Sequence, residues 1–372
     1  MKEGYRFLGE YIRQVDIRNK EGKKENLLGV SVQKQFIQSI ANTVGTDFTK
    51  YKIVKKGQFT YIPDTSRRGD KIAIALLEDY EEGLVSNVYT VFEVIDTEKL
   101  LPEYLMLWFS RPEFDRYARF KSHGSVREVM DWEEMCKVEL PVPDIEKQRK
   151  IVKAYKTITD RIALKQKIND NLEAAMRALF EHFVVSNEAY DFDEAIDDKI
   201  DFINGLAMQN YRPEKDETPI PVIKIRELSQ GYCDENSEFC SNHIDKSHII
   251  QNGDLVFSWS GSLQASFWTS QTAGLNQHLF KVQSDEYPLW FVYEWVTFHL
   301  LNFQRIAENK GTTFGHIKRE DLHNAKIKSV GIDEINKLNN LFQPLLNTII
   351  ANSTELHSLM NYQRVLLARL SR

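Results

Sequence analysis

The side chains that most often carry catalysis occur in this chain without catalytic spacing. Cys233 and Cys240 have six residues between them and no second pair, so they do not form a structural zinc framework. His243 and His248 stand five apart, which is neither a helical metal pair nor a zincin motif. Asp64 follows Pro63 without the Glu-x-Lys partner of a nuclease site, and Ser258-Trp259-Ser260-Gly261-Ser262 lacks the Gly-x-Ser-x-Gly elbow. The sequence has no Gly-x-x-x-x-Gly-Lys-Ser/Thr phosphate loop, no Asn/Asp-Pro-Pro-Tyr tetrapeptide of an amino-methyltransferase and no glycine-rich dinucleotide turn. What remains is the chemistry of binding. Arg111, Arg116, Arg119, Lys121 and Arg127 outnumber Glu113 and Asp115 in one locally basic stretch, suited to phosphate. Asp191, Asp193, Glu194, Asp197, Asp198 and Asp201 make the opposite stretch.

The elements that must position these groups are stated twice, 187 residues apart. Ile151, Tyr155, Ile158, Ile162, Leu172, Met176, Leu179 and Phe183 recur at spacings of four and three, as do Leu338, Phe342, Leu345, Ile349, Leu356, Leu359, Leu366 and Leu370. Such a period predicts two long heptad helices. The first begins after the rigid Pro141-Val142-Pro143, with Asp144 as its cap, and spans roughly 55–60 Å at ~1.5 Å per residue. Lys165 and Asn169 are polar seam members in one helix, Asn352 and Gln363 in the other, and polar seam groups fix register. Pro344 falls inside the second run and predicts a kink or break.

Each helix follows a head of short strands. Tyr51–Ile62 reads as strand, Lys-Gly turn, strand; Lys71–Leu77 and Val88–Val94 read as further strands, and Pro102–Phe109 as a helix that Glu113–Arg119 continues. In the second head Pro219–Ile225 reads as a strand and Leu228–Gly231 as a turn. Ile53–Phe59 echoes Ile249–Leu255, Pro102 echoes Pro288, and Gly124-Ser125-Val126 echoes Gly311-Thr312-Thr313. Scaffold positions agree and most polar ones differ. The expected fold is α+β: two α/β heads in a pseudo-two-fold arrangement, separated by long helices forming an antiparallel coiled coil. The boundaries expected are 1–143, 144–185, 186–330 and 331–372. A length of 372 residues, 42% hydrophobic and 27% charged, suits two soluble domains. Three cysteines, no apolar run of 18 residues and no signal-peptide core predict a cytoplasmic protein away from membranes. The net charge of −6 argues against a strongly basic nucleic-acid binder, although local patches govern phosphate contact.

Leu140-Pro141-Val142-Pro143-Asp144-Ile145-Glu146-Lys147-Gln148-Arg149-Lys150-Ile151-Val152 resembles the junction between recognition domain and spacer helix in the specificity subunits of type I restriction-modification systems. Gly57–Tyr61, Gly83–Phe92, Tyr104-Leu105 and Gly124–Arg127 are similar to that family's scaffold motifs, so the resemblance covers nearly the whole chain. The second junction, Ile327–Ile335, has lost the Pro-x-Pro and the Gln.

The resemblance implies a non-catalytic subunit. Each head becomes a target-recognition domain reading one half of an asymmetric, bipartite double-stranded DNA site, and the coiled coil sets the gap. It also implies two modification (methyltransferase) subunits docked on the helices, with restriction (translocase and nuclease) subunits joining them. No cofactor is expected in this chain; S-adenosylmethionine, ATP and Mg would serve the complex. Candidate DNA-binding residues in the first head are Arg67, Arg68, Lys121, Ser122, His123, Ser125 and Arg127. In the second they are Ser258, Trp259, Ser260, Ser262, Gln277, His278, Lys310, Thr312, Thr313, His316 and Lys318. Arg or Lys pairs with guanine and Gln with adenine. Two rivals are a recognition subunit of another restriction-modification class and a coiled-coil scaffold that binds no DNA.

Overall fold

The computed structural model describes residues 4–39, 45–65, 71–122, 128–309 and 315–370. Contacts divide the chain into two compact units. Unit 1 comprises Met1–Asp160 and Tyr362–Arg372, and unit 2 comprises Arg161–Asn361.

In unit 1 the strands are β1 (Tyr5–Phe7), β2 (Ile12–Val15), β3 (Ile17–Arg18), β4 (Leu28–Val30), β5 (Phe36–Gln38), β6 (Lys52–Lys55), β7 (Phe59–Tyr61), β8 (Ile74–Leu76), β9 (Glu82–Val85), β10 (Thr90–Val94) and β11 (Glu139–Pro141). The helices are α1 (Pro102–Phe109), α2 (Pro112–Lys121), α3 (Trp132–Cys136) and the start of α4 (Ile145–Phe180). The main sheet has the order β2-β10-β7-β8, all antiparallel. Its inner face stacks Phe59 on Phe92 at 4.8 Å, with Phe109 of α1 edge-on to both. Pro112 starts α2 afresh after Ser110 and Arg111, because proline is tolerated in a first helical turn but not in a helix interior.

The Tyr51–Ile62 segment does form two strands around Gly57 (φ +83°), yet they are not a hairpin. β6 pairs with β3 and β9, whereas β7 pairs with β10 and β8. Val54 belongs to one apolar cluster, and Phe59 and Tyr61 to another. The sequence periodicity contains the strands but not which core each one serves.

Unit 2 has β12 (Phe192–Ala195), β13 (Asp201–Asn204), β14 (Ile220–Ile223), β15 (Phe239–Cys240), β16 (Ile249–Ile250), β17 (Leu255–Ser258), β18 (Ala265–Phe267), β19 (Ala273–Leu275), β20 (Leu279–Gln283) and β21 (Lys326–Lys328). Its helices are α5 (Ile196–Lys199), α6 (Ile225–Gln230), α7 (Leu289–Asn309), α8 (Arg319–His323) and α9 (Ile332–Arg369). The order β13-β20-β17-β18 repeats the main sheet of unit 1, and β12–β21 repeats β1–β11. The second sheets differ. Unit 1 carries the antiparallel β3-β6-β9, whereas unit 2 carries β15-β14-β19-β16 with a parallel β14–β19 pair. The expected turn at Leu228–Gly231 is instead the end of α6. Glu227 accepts from the Lys224 N–H at its start, and Gly231 (φ +82°) closes it in the left-handed conformation.

The long helices follow the predicted period. On α4, Ile151, Tyr155, Ile158, Ile162, Lys165, Asn169, Leu172 and Met176 all lie on the covered side. On α9 the buried set is Ile335, Leu338, Phe342, Leu346, Ile349 and Asn352, so Leu346 is buried more fully than the predicted Leu345. Within unit 2, Arg161 meets Glu355, Lys165 meets Asn352 at 2.6 Å, and Asn169 meets the Ile349 carbonyl at 3.3 Å. Numbers rise on one helix as they fall on the other, so the pairing is antiparallel. Within unit 1, Leu367 and Leu370 pack with Ile151 and Tyr155, and Gln363 donates to Thr159 at 2.8 Å. The helix is not broken at Pro344. That proline and Asn340, whose carbonyl loses a helical donor, both face outward, so water can replace the bond.

Gln148 gives the junction motif a physical meaning. It is fully buried, accepts from the Leu101 N–H at 2.9 Å and donates to the carbonyls of Lys99 and Pro143 at 2.8 Å. It thus staples the start of α4 to the start of α1. The matching position in α9 is Ile335, 2% exposed, so the second copy fills the same place with an apolar side chain.

Candidate nucleic-acid interface

Four segments converge at one edge of the main sheet of unit 2. The loop after β17 carries Ser258–Ser262, and the β19–β20 turn carries Asn276–His278. The Trp259 carbonyl accepts from the Ile317 N–H at 3.0 Å, the Gly261 N–H donates to the Gly315 carbonyl at 2.8 Å, and Ser260 bridges His316. Gln277 N–H donates to Leu206 at 2.8 Å. Gly205 lies so close to the Asn276 carbonyl that a Cβ there would stand 2.1 Å from it, which only glycine avoids. Gln304 of α7 donates to the Leu263 carbonyl at 3.0 Å and ties the first loop to the helix beneath.

Burial sorts the candidates. Ser262, Gln277, His278 and Lys318 are exposed, and His316 is half-buried. Ser258 is fully buried, and its hydroxyl donates to the carbonyls of Ser260 and Ser262 at 3.0 and 2.9 Å, so it holds the turn. Ser260 is 8% exposed with its hydroxyl 3.2 Å from His278 Nδ1. Trp259 is half-buried, its ring centroid 5.9 Å from those of His278 and Phe280 and 6.4 Å from that of His316. Its indole N–H is buried without a partner. The tryptophan is therefore the platform around which the polar groups are arranged, packed on the core beneath. Arg319, which the sequence reading missed, donates to the Phe202 carbonyl at 2.6 Å and lies 4.8 Å over the Phe280 ring. No sequence signal marks it, because its partners are more than a hundred residues upstream or on another strand.

Unit 1 repeats the same clasp. Met130 N–H donates to the Pro63 carbonyl at 3.0 Å, Thr65 N–H to the Glu128 carbonyl at 3.0 Å, and Asp64 bridges Val129. These are the counterparts of the Ile317, Gly261 and Ser260 contacts. They bring the chain leading into residues 66–70 beside the chain leaving 123–127. Ser122 is 8% exposed; it receives the Thr65 hydroxyl at 2.9 Å and donates to the Ala118 carbonyl at 2.7 Å. It latches the two segments together. Lys121 is half-buried, with its ammonium 6.0 Å from the ring centroids of Tyr117 and Phe120. Arg67, Arg68, His123, Ser125, Arg127, Lys310, Thr312 and Thr313 lie outside the described residues.

In unit 2 the clasp presents exposed hydrogen-bonding side chains, and in unit 1 the same backbone contacts recur between the described ends of the two segments. Among the described residues, one group has metal-ligand types within 4.8 Å of one another, Asp197, Asp198 and His323 of unit 2. His323 Nδ1 is 3.0 Å from the Asp197 carboxylate, within hydrogen-bond distance at the protein surface. None of the described helices is long and apolar enough to cross a membrane.

Residues 9–174 match the family described as type I restriction modification DNA specificity domain. The chain is 24% identical over 305 residues to the type I restriction enzyme MjaIX specificity subunit of Methanocaldococcus jannaschii, covering 74% of this chain and 70% of that one. It is 29% identical over 101 residues to the EcoBI specificity subunit of Escherichia coli, covering 27% of this chain and 21% of the relative. A crystal structure of the type I restriction-modification system S subunit from M. genitalium superposes with a TM-score of 0.60 at 11% identity. That match covers 99% of this chain and 96% of the other, a likeness of fold.

Proposed function

We propose that this chain acts as a specificity subunit of a type I restriction-modification system and reads DNA as follows. Each unit reads one half of an asymmetric, bipartite duplex site through its clasped pair of loops. The observation that carries this reading is the clasp itself. Two units with different polar residues hold their loops by the same three backbone contacts, so one scaffold presents two different surfaces.

In unit 2, Gln277 and His278 present hydrogen-bonding groups to base edges, and Lys318 contacts phosphate. Ser262 and His316 contribute polar contacts beside them. Bidentate pairing of Gln with adenine is worth about 1–3 kcal/mol of discrimination. The paired helices set the gap and dock two modification subunits, which restriction subunits join. Those partners supply S-adenosylmethionine, ATP and Mg chemistry; this chain contributes recognition without catalysis. The complex works in the cytoplasm.

Methylome sequencing of cells expressing the chain with its modification subunit tests the reading. The expected pattern is two unlike half-sites separated by a constant gap. Replacing Gln277 and His278 by alanine should relax one half-site and leave the other intact. A continuous or palindromic site, or a change in both halves, would contradict the assignment.

A further inference from the structure

Unit 1 carries a groove with a buried cation at its wall. About 630 Å³ opens between β1, the α1–α2 corner and the segment leading into β11, walled by Tyr5, Phe7, Trp108, Phe114 and Tyr117. Arg111 lines it at 5% exposure, with its guanidinium carbon 4.1 Å from the Trp108 ring centroid. Its nearest carboxylate is Glu113, 3.6 Å from Nε, beyond hydrogen-bond reach, and Nε is buried without a hydrogen-bond partner. A guanidinium carries five N–H donors, and a buried donor left unpaired is costly. The other cations at the groove are already engaged: Lys137 with Glu134 at 2.7 Å, and Lys121 over the Tyr117 and Phe120 rings.

The fold does not require this arginine. In unit 2 the unbroken helix α7 carries Phe298 at the matching position, 44% exposed, and Phe192 meets Trp295 edge-on at 5.9 Å just as Tyr5 meets Trp108 at 6.2 Å. Unit 2 thus carries an aromatic ring where unit 1 keeps a charge.

We propose that this groove receives the carboxylate of an acidic residue together with an adjoining aromatic or aliphatic side chain, both presented by the modification subunit. This rests on reading the chain as a subunit of that complex. Arg111 pairs with the carboxylate, and the aromatic walls take the apolar side chain. Buried aromatic and arginine anchors of this kind dominate protein interfaces. Phe7, 38% exposed, extends the apolar surface of the groove beyond what a phosphate backbone alone would use.

The test uses full-length chain and its modification subunit. Arg111→Met should weaken their association about tenfold to a hundredfold, with native thermal unfolding, and Arg111→Lys should recover part of the loss. Zero-length carbodiimide cross-linking of the native complex should join Lys121 or Lys137 to an acidic residue of the partner. Unchanged affinity for Arg111→Met overturns the proposal. So does a variant that loses DNA affinity alone, which would make the groove a nucleic-acid site. If Arg111→Met does not fold, the native cross-links decide, and their absence from both lysines is equally fatal. A native chain that forms no complex refutes the subunit reading itself.

Discussion

Glu294 lies 3% exposed on α7, at the position where unit 1 has Leu107. Burial pushes its carboxyl up to about 7, partly offset by Arg177, with Glu173 adding to the rise. The folded pKa exceeds the unfolded one, so folding favours the protonated form. The stability this contributes is full below the unfolded value of 4.5 and is lost as pH rises through about 7. Glu294→Gln should therefore be more stable than the native chain by on the order of 1–3 kcal/mol at about pH 8, with a much smaller difference near pH 4.5. Urea denaturation at the two pH values checks this; a difference independent of pH would remove Glu294 as the cause. The candidate recognition residues follow a similar lesson. Ser258 and Ser122 look alike in sequence to Ser262, yet burial makes the first two latches and leaves only the third facing outward.

Among the elements, the helix pair owes its register to a closed polar cluster. Asn352 accepts from Lys165 at 2.6 Å and donates to Asn169 at 2.9 Å, and Asn169 donates to Ser353 at 2.9 Å. Lys165 and Asn352 are 187 positions apart, so the two copies of one seam position meet each other. Asn169→Ala would leave the Asn352 amide unpaired in a buried seam and should cost roughly 1–3 kcal/mol. Replacing Asn169 and Asn352 together by leucine strands neither amide, and Lys165 keeps Glu355 at 2.7 Å, so this variant should lose less than Asn169→Ala and be near neutral or stabilising. Chemical denaturation of the two variants compares them directly. Equal losses would mean that the cluster's hydrogen bonds are not what matters. The existence of these helices, most of their seam and its polar members were legible in the heptad period; Phe183, 37% exposed, and Leu345, less buried than Leu346, depart from it. The pairing of β6 and β7 with different sheets was not, because a strand's partners are chosen by side chains far away in sequence.

For the molecule as a whole, the net charge of −6 bears on how it meets DNA. Affinity for duplex DNA comes largely from phosphate contacts and counterion release, so an acidic chain gains little from long-range attraction. The free chain should bind its site weakly at ~0.15 M salt, and addition of the modification subunit should tighten binding at least about tenfold. Fluorescence anisotropy across a salt series measures both. A free chain that binds as tightly as the complex would show that its own loops suffice.

The duplication, the long helices and the α+β heads can all be read along the chain, as can its lack of catalytic motifs. Each of these is written in local periodicity or fixed spacing, which the chain carries without regard to its fold. Long-range packing brings residues near 205, 260, 277 and 316 to one edge and sets Gln148 to staple helix to head. It also leaves the Arg111 Nε buried without a hydrogen-bonding partner. Those outcomes depend on which segments pack together, a choice made by summed burial and hydrogen bonding over the whole unit rather than by any one stretch of residues.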